Sequence, residues 1–382
     1  MKTIRCMNKI DPKGLDLLKE NYRYGEDVKE EDGILVRSAS LHEYEFPESL
    51  LAIARAGAGV NNIPIERCTE KGIAVFNTPG ANANAVKELT ILGLLLASRD
   101  VIGGVEWTKS LKDSADFAKA VEKGKSAFAG VEIQGKKLGV IGLGAIGVLV
   151  ANDCVKLGME VYGYDPYISV ASAWSLSKWV HHVEDIRELY RECDYITLHI
   201  PYNESTKHTI NAEAVKEMKP GVRLLNFARG ELCDEEALLE GLKSGVIDRY
   251  LTDFGSSRLL NEPHAICLPH LGASTHESEE NCAVMAVNEL KDYLENGNIA
   301  HSVNLPSVAE PRITAHRVCI IHRNVPNMLA QLTSVLGKNH INIENMVNKA
   351  RNEVAYTLID TNSEVDPLAL KEIEHVLRVR VL

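Results

Sequence analysis

Gly142-Leu143-Gly144-Ala145-Ile146-Gly147 is a GxGxxG run between the apolar, β-branched stretch KLGVIG (137–142) and a segment that reads as a helix. In that setting Gly142 permits a tight turn, Gly144 lets the backbone approach a pyrophosphate, and Gly147 lets helix pack close on strand. The first N–H groups of the helix, at Ala145 and Ile146, are offered to the anion. Asp165 closes the strand-like MEVYGYD about twenty residues further on, where the motif requires an acid. A carboxylate there accepts from ribose hydroxyls and repels a 2′-phosphate, so NAD is expected rather than NADP. A ligand-free glycine turn is the plain alternative, and it leaves the placement of Asp165 unexplained. Two other side chains have chemical means: His270 in LPHLGAST (268–275) and Arg229 in NFARG (226–230). An imidazole exchanges protons near neutral pH, and a guanidinium grips carboxylates in a bidentate way.

Such residues need a scaffold that collects strand ends on one edge. KLGVIG, MEVYGYD, CDYITLHI, RLLNFA, YLTDF and AICLPH (265–270) are short apolar runs separated by helix-length segments, the doubly wound pattern of a parallel sheet. Before them, IRCM, LDLLKE, GILVRS, SLLAIARAG and IAVFNTPG suggest further βαβ units up to about residue 100. AVKELTILGLLLAS (85–98) reads as a long buried helix leaving one domain for another. After NLPSVAEP (304–311), whose prolines read as a linker, about seventy residues fit β-α-β-β-α-β, with a helix opened by Pro326.

The chain of 382 residues is too long for one core. Its net charge of -11, without any basic track, argues against nucleic acid as a partner. Eight scattered cysteines without a C-x-x-C pair read as buried free thiols in a reducing compartment. The first residues lack a signal-peptide core and no apolar run is of membrane-spanning length, so a cytoplasmic protein is expected.

LHIP (198–201), NFARG and LPHLGAST all end predicted strands of one sheet. Together with the glycine motif they resemble the D-2-hydroxyacid dehydrogenase family, whose counterparts read HxPxT, NxxRG and PHxG. The resemblance covers roughly residues 30 to 306. It implies that His270 takes the hydroxyl proton while Arg229 holds the carboxylate, with a nicotinamide close to the substrate C2–H. It further implies cofactor contacts from His199, Pro201, Thr206, Ala228, Asp253 and Gly272, with Asp253 toward the nicotinamide carboxamide. A strand-end histidine and a surface salt bridge are the plain readings of His270 and Arg229; neither explains why both follow strand ends on one edge. The family adds a glutamate that hydrogen-bonds the histidine. Counted from Asp253 that position is Arg258, and Glu262, before Pro263, is the nearest candidate if its loop is rearranged.

LVRSAS (35–40), RAGAGVNNI (55–63) and NTPGANANAVKEL (77–89) resemble the substrate domain of phosphoglycerate dehydrogenases within that family. Small-residue loops around Ala58, Gly59, Asn77 and Gly80 can cup an anion, and Arg37 and Arg55 add charge for a phosphorylated hydroxy acid. RVCIIHRNVPNML resembles an ACT-type regulatory module. There His322, Asn324 and Asn342 match serine-contacting positions, whereas Asn327 stands where a glycine is usual.

The expected architecture is α/β, with a flavodoxin-like substrate lobe (1–97 and 280–306), a Rossmann cofactor lobe (98–279) and a small α+β ACT-like domain (313–382). The active site is expected in the cleft of a homodimer or homotetramer, and the expected activity is NAD-dependent oxidation of D-3-phosphoglycerate. A glyoxylate or hydroxypyruvate reductase would share the cofactor-lobe motifs. A non-catalytic NADH-sensing protein would bind the cofactor without turnover.

Overall fold

The computed structural model describes all 382 residues and divides into two compact units, Met1–Asn82 with His276–Leu382, and Ala83–Thr275. No helix is long and apolar enough to cross a membrane.

The first unit opens with five parallel strands, β1 (Lys2–Cys6), β2 (Tyr22–Gly25), β3 (Gly33–Val36), β4 (Ala52–Arg55) and β5 (Ala74–Phe76), in the order β2-β1-β3-β4-β5. This is the flavodoxin-like order. β3 and β5 are buried at every position, as a sheet covered on both faces requires. The long helix His276–Asn296 belongs to this unit and buries Cys282, Ala283, Ala286, Val287, Leu290, Tyr293 and Leu294, a stripe at helical spacing.

The second unit holds seven parallel strands: β6 (Lys137–Ile141), β7 (Glu160–Tyr164), β8 (Val180–His182), β9 (Tyr195–Leu198), β10 (Val222–Asn226), β11 (Ile247–Thr252) and β12 (Ala265–Cys267). Their order, β12-β11-β10-β9-β6-β7-β8, reverses direction between β6 and β9. Ligands of doubly wound sheets bind at the carboxyl ends flanking such a switch.

Four antiparallel strands, β13 (His316–Arg323), β14 (Ile343–Arg351), β15 (Val354–Thr361) and β16 (Val376–Val381), complete the first unit in the order β14-β15-β13-β16. Alternation along β13 feeds two cores. Val318 and Ile320 pack with Leu332 and Leu336 of the helix Met328–Lys338, while Cys319 and Ile321 join Ile4, Leu35, Phe76 and Tyr293 of the first lobe.

Two expectations on organisation differ from what the structure shows. The lobe boundary lies at 82/83 and not at 97, because the helix Ala83–Ser98 packs in the cofactor unit; a Cβ on Gly93 would sit 2.8 Å from the Phe227 ring. NLPSVAEP is no loose linker: Leu305, Pro306 and Val308 are buried, Ile299 and Val308 exchange backbone hydrogen bonds, and buried Asn304 accepts from the Val75 N–H at 2.9 Å. The last seventy residues pack onto the rest of the first unit. Arg317 is fully buried, pairs with Asp360 through Nε and Nη2 at 2.6 and 2.9 Å, and donates to the Asn296 carbonyl at 3.0 Å. Arg380 donates to the carbonyls of Tyr293 and Leu294 and lies 4.4 Å over the Tyr293 ring. Two cations thus close the carbonyl end of the long helix, where its dipole is negative.

All eight cysteines are free; burial pushes the thiols of Cys68, Cys154, Cys193 and Cys233 up to about 12.

Candidate active site

The glycine motif is the loop between β6 and the helix Ala145–Lys156. Gly142 has φ +94°, and a Cβ there would lie 2.6 Å from the His199 carbonyl oxygen, so a left-handed turn and a neighbouring strand end both exclude side chains. A Cβ on Gly147 would lie 1.9 Å from the Gly142 oxygen. Beside Gly144, by contrast, nothing lies within 4 Å. Gly144 caps the helix without a side-chain hydrogen bond. An open cradle of unclaimed helix N–H groups next to a bare glycine suits a pyrophosphate. Asp165, at the end of β7, accepts from the Leu143 N–H and the Tyr167 N–H, both at 2.8 Å. It therefore braces the loop while each oxygen retains a lone pair for a ribose hydroxyl.

From the switch point the strand ends run in spatial order. His199 follows β9; its Nε2 meets Thr197 Oγ1 at 3.0 Å, its Nδ1 is buried without a partner, and burial lowers its imidazole to about 3. It stays neutral and shapes the site. Thr206 Oγ1 donates to the Pro201 carbonyl at 2.7 Å and so closes the loop after β9. After β10, buried Asn226 accepts from the Ala228 N–H at 3.1 Å and donates to the Arg229 carbonyl at 2.8 Å. Arg229 is exposed on that turn, donating only to the Ala228 carbonyl, with no carboxylate beside it. A guanidinium held at a strand end and left unpaired is ready for an anionic ligand.

Asp253, directly after β11, is only 4% exposed. Its Oδ2 accepts from the Gly272 N–H at 3.0 Å, and its Oδ1 has no partner. Burial raises its carboxyl above the ordinary range, against the pull of the Gly272 N–H and of nearby His270. An orphaned buried acceptor fits a carboxamide N–H2 donor. His270, three residues beyond β12, is exposed, with the Phe254 ring 4.7 Å from its own.

Glu262 is not the support for this histidine. It precedes β12, at the amino end of the sheet, and faces Lys243 at 4.0 Å; the strand lies between it and His270. Arg258, where the family count falls, is tied to Glu236 and Glu235 of the helix Glu235–Ser244. The carboxylate in whose field His270 lies is Asp253, a relation that only the adjacency of β11 and β12 creates. Glu262→Gln is therefore expected to leave the pH–rate profile in place; a shifted limb would restore Glu262 to the site.

In the first unit, Arg55 ends β4, and Arg37, Ala58, Gly59, Asn77 and Gly80 follow the carboxyl ends of the adjacent strands β3, β4 and β5. Asn77 Nδ2 donates to the Ala58 carbonyl at 2.6 Å, and Arg55 Nε to the Arg37 carbonyl at 3.0 Å. Arg37 pairs with Glu279 at 2.7 Å, an exposed contact worth about 1 kcal/mol or less. Asn8, unremarked in sequence, accepts from the N–H groups of Arg37, Ser38 and Ala39. Its only signal is an Asx at a strand end.

In the C-terminal module His322 is not open to a ligand. It is 2% exposed, and its ring nitrogens meet the Arg323 carbonyl and Thr357 Oγ1, both at 2.8 Å, which fastens β13 to β15. Asn324 and Asn342 are exposed, bonded to the Asn352 carbonyl and to Glu344. Asn327 adopts φ +70°, the left-handed conformation glycine would supply, which asparagine tolerates best among side-chain-bearing residues.

Residues 103–273 match the family model for the NAD binding domain of D-isomer specific 2-hydroxyacid dehydrogenases. The D-3-phosphoglycerate dehydrogenase of Methanocaldococcus jannaschii is 38% identical over 297 residues, 75% of this chain and 54% of that protein. That of Haemophilus influenzae is 32% identical over 353 residues, 88% of this chain and 82% of that one. The hydroxypyruvate reductase of Thermotoga maritima is 38% identical over 275 residues, 69% of this chain and 85% of that one. The chain spans little more than half the length of the D-3-phosphoglycerate dehydrogenases of Methanocaldococcus jannaschii and Synechocystis, 54% and 57%. A solved structure of 3-phosphoglycerate dehydrogenase from Entamoeba histolytica with NAD+ aligns with TM-score 0.61 at 27% identity, over 79% of this chain and 98% of that one.

Proposed function

We propose that this chain, which belongs to the D-isomer specific 2-hydroxyacid dehydrogenase family, oxidises D-3-phosphoglycerate to 3-phosphohydroxypyruvate. The observation that carries the reading is the row of strand ends in the second unit. There an unpaired Arg229, an orphaned Asp253 oxygen and an exposed His270 follow the adjacent strands β10, β11 and β12, on the same sheet edge as the open glycine cradle after β6.

NAD would be held by the cradle of Gly142, Gly144 and Gly147, by Asp165 at the ribose and by Asp253 at the carboxamide. Bound there, it supplies the hydride acceptor. Arg229 holds the substrate carboxylate and favours the carbonyl that develops at C2. His270 accepts the hydroxyl proton as the C2–H bond breaks, and Asp253 stabilises the charge that the ring acquires. In the first unit, Arg55, Arg37 and the loops at Ala58–Gly59 and Asn77–Gly80 take the phosphate; Arg37 has only an exposed ion pair to give up.

Initial rates with NAD, followed by the near-ultraviolet absorbance of the reduced cofactor, test this directly. Turnover confined to D-3-phosphoglycerate is expected. Equal turnover of D-glycerate moves the assignment to a hydroxypyruvate reductase, the activity named for the Thermotoga maritima relative. Tight NADH binding with no turnover of either acid makes the chain a cofactor sensor.

The assembly in this reading is a homodimer or homotetramer. The helices Ala83–Ser98, Val101–Ser110 and Phe117–Gly124 leave Leu92, Leu95, Val101, Ile102, Val105 and Phe117 between 44 and 49% exposed. An apolar set of that extent marks a partner surface. Leu95→Glu is expected to give monomers in sedimentation velocity without changing the far-ultraviolet circular dichroism. Feedback by serine belongs to the same proposal and rests on Asn324 and Asn342. An inhibition titration tests it, and a flat curve leaves the module an architectural role.

A further inference from the structure

The first unit carries a groove of about 780 Å³ that touches the loop after β5 at Gly80 and Ala81 and otherwise runs along residues to which no role has been given above. One wall is a face of the long helix, with Glu280, Val284, Met285, Asn288, Glu289 and Asp292 at successive turns; Lys13, Asn298 and His301 complete it. Its volume lies within the range of small-molecule sites.

Two features distinguish it from a solvated helix face. The Glu289 side chain is only 8% exposed; one oxygen is engaged by His301 Nδ1, and the other, Oε2, is buried without any partner. An unsatisfied buried acceptor costs stability unless something supplies a donor. The charges are also arranged in order along the helix axis. Glu280 stands at one end, Val284 and Met285 follow, and Glu289 and Asp292 stand at the other, with about 13 Å of axis between Glu280 and Glu289 at 1.5 Å per residue. Acid, apolar, acid is the pattern of an elongated ligand with cationic ends and a methylene middle. The one cation in the groove, Lys13, is exposed and paired with Glu280, a contact that a competing ammonium can displace.

We propose that this groove binds a linear aliphatic polyamine, one ammonium group meeting Glu289 and Asp292, another meeting Glu280, and the methylenes lying over Val284 and Met285. Asp292 accepts from Asn296 and Asn298 and retains lone-pair capacity, and Asn288 adds a carbonyl acceptor.

Isothermal titration of the full chain with spermidine at low ionic strength tests the assignment, with magnesium chloride titrated in parallel. One-site binding of spermidine is expected, weakened about tenfold in Glu289→Gln, the loss of one charge-assisted hydrogen bond. Met285→Lys, which leaves Glu289 in place and sets a cation in the middle of the groove, is expected to lose binding as well. An unchanged far-ultraviolet circular dichroism spectrum and thermal midpoint report that both variants are folded. Burial raises Glu289 to about 7, so affinity should tighten as pH rises through that value and the carboxylate ionises. The titratable and charged groups lining the same groove are His301, which is hydrogen-bonded to this carboxylate, Asp292 one turn on, and Glu280 with Lys13 at the far end. Absence of heat overturns the proposal. So does equal affinity in the wild type and both variants, or magnesium matching spermidine, since either result describes a diffuse acidic surface.

Discussion

His270→Gln is expected to lower kcat by on the order of 10³-fold while leaving the dissociation constant of NADH unchanged. Glutamine retains a hydrogen-bonding group at the end of β12 but cannot accept the hydroxyl proton. His199, the other strand-end imidazole, is no substitute, because burial lowers it to about 3 and its Nε2 is committed to Thr197. The exposed position of His270, away from the glycine cradle after β6, is why binding should survive. Initial rates and NADH fluorescence titration on the same preparation separate the two effects. A variant that keeps a tenth or so of the wild-type kcat would remove His270 from proton transfer, since a general base contributes at least about 10²-fold.

The second large effect comes from comparing two glycines three residues apart. Gly147→Ala sets a methyl 1.9 Å from the Gly142 carbonyl oxygen, which is backbone and cannot rotate away. The helix Ala145–Lys156 must lift from β6, at a cost of at least about 3 kcal/mol, the upper end of ordinary overpacking. A lower thermal midpoint without ligand is expected, with dinucleotide affinity lost as well. Gly144→Ala meets nothing within 4 Å of the chain. Its midpoint without ligand should match the wild type, and only the rise in midpoint on adding NAD should shrink. Equal midpoints for all three proteins would mean that Gly147 does not seat the helix.

The cofactor edge was largely legible because its signals are local. A glycine needing φ +94°, an acid at the next strand end and apolar runs of strand length can each be read within a few residues. The short edge strands β2 and β8 were not, since YRYG and VHH carry too little apolar pattern. The helices Val101–Ser110 and Phe117–Gly124 escaped for a related reason: neither buries any residue, so no stripe faces a core. Long-range relations were out of reach. Asp253 lies in the field of His270 only because β11 pairs with β12, and the proximity of Glu262 in sequence pointed elsewhere. Arg317 and Arg380 lie in segments that read as ordinary strands, and nothing in RVRVL indicates that its last arginine caps a helix more than eighty residues earlier.

That capping has an evolutionary and practical consequence. Small α+β segments at a chain's end are natural candidates for cassettes, pieces moved between proteins or cut away to make a minimal catalyst. Here excision after Pro311 would expose the apolar side chains around Phe76 and Tyr293 and strip the carbonyls of Tyr293, Leu294 and Asn296 of their guanidinium partners. The last seventy residues are part of the keel of the first unit, and a chain shortened there should fail as a fold before it can be tested as an enzyme.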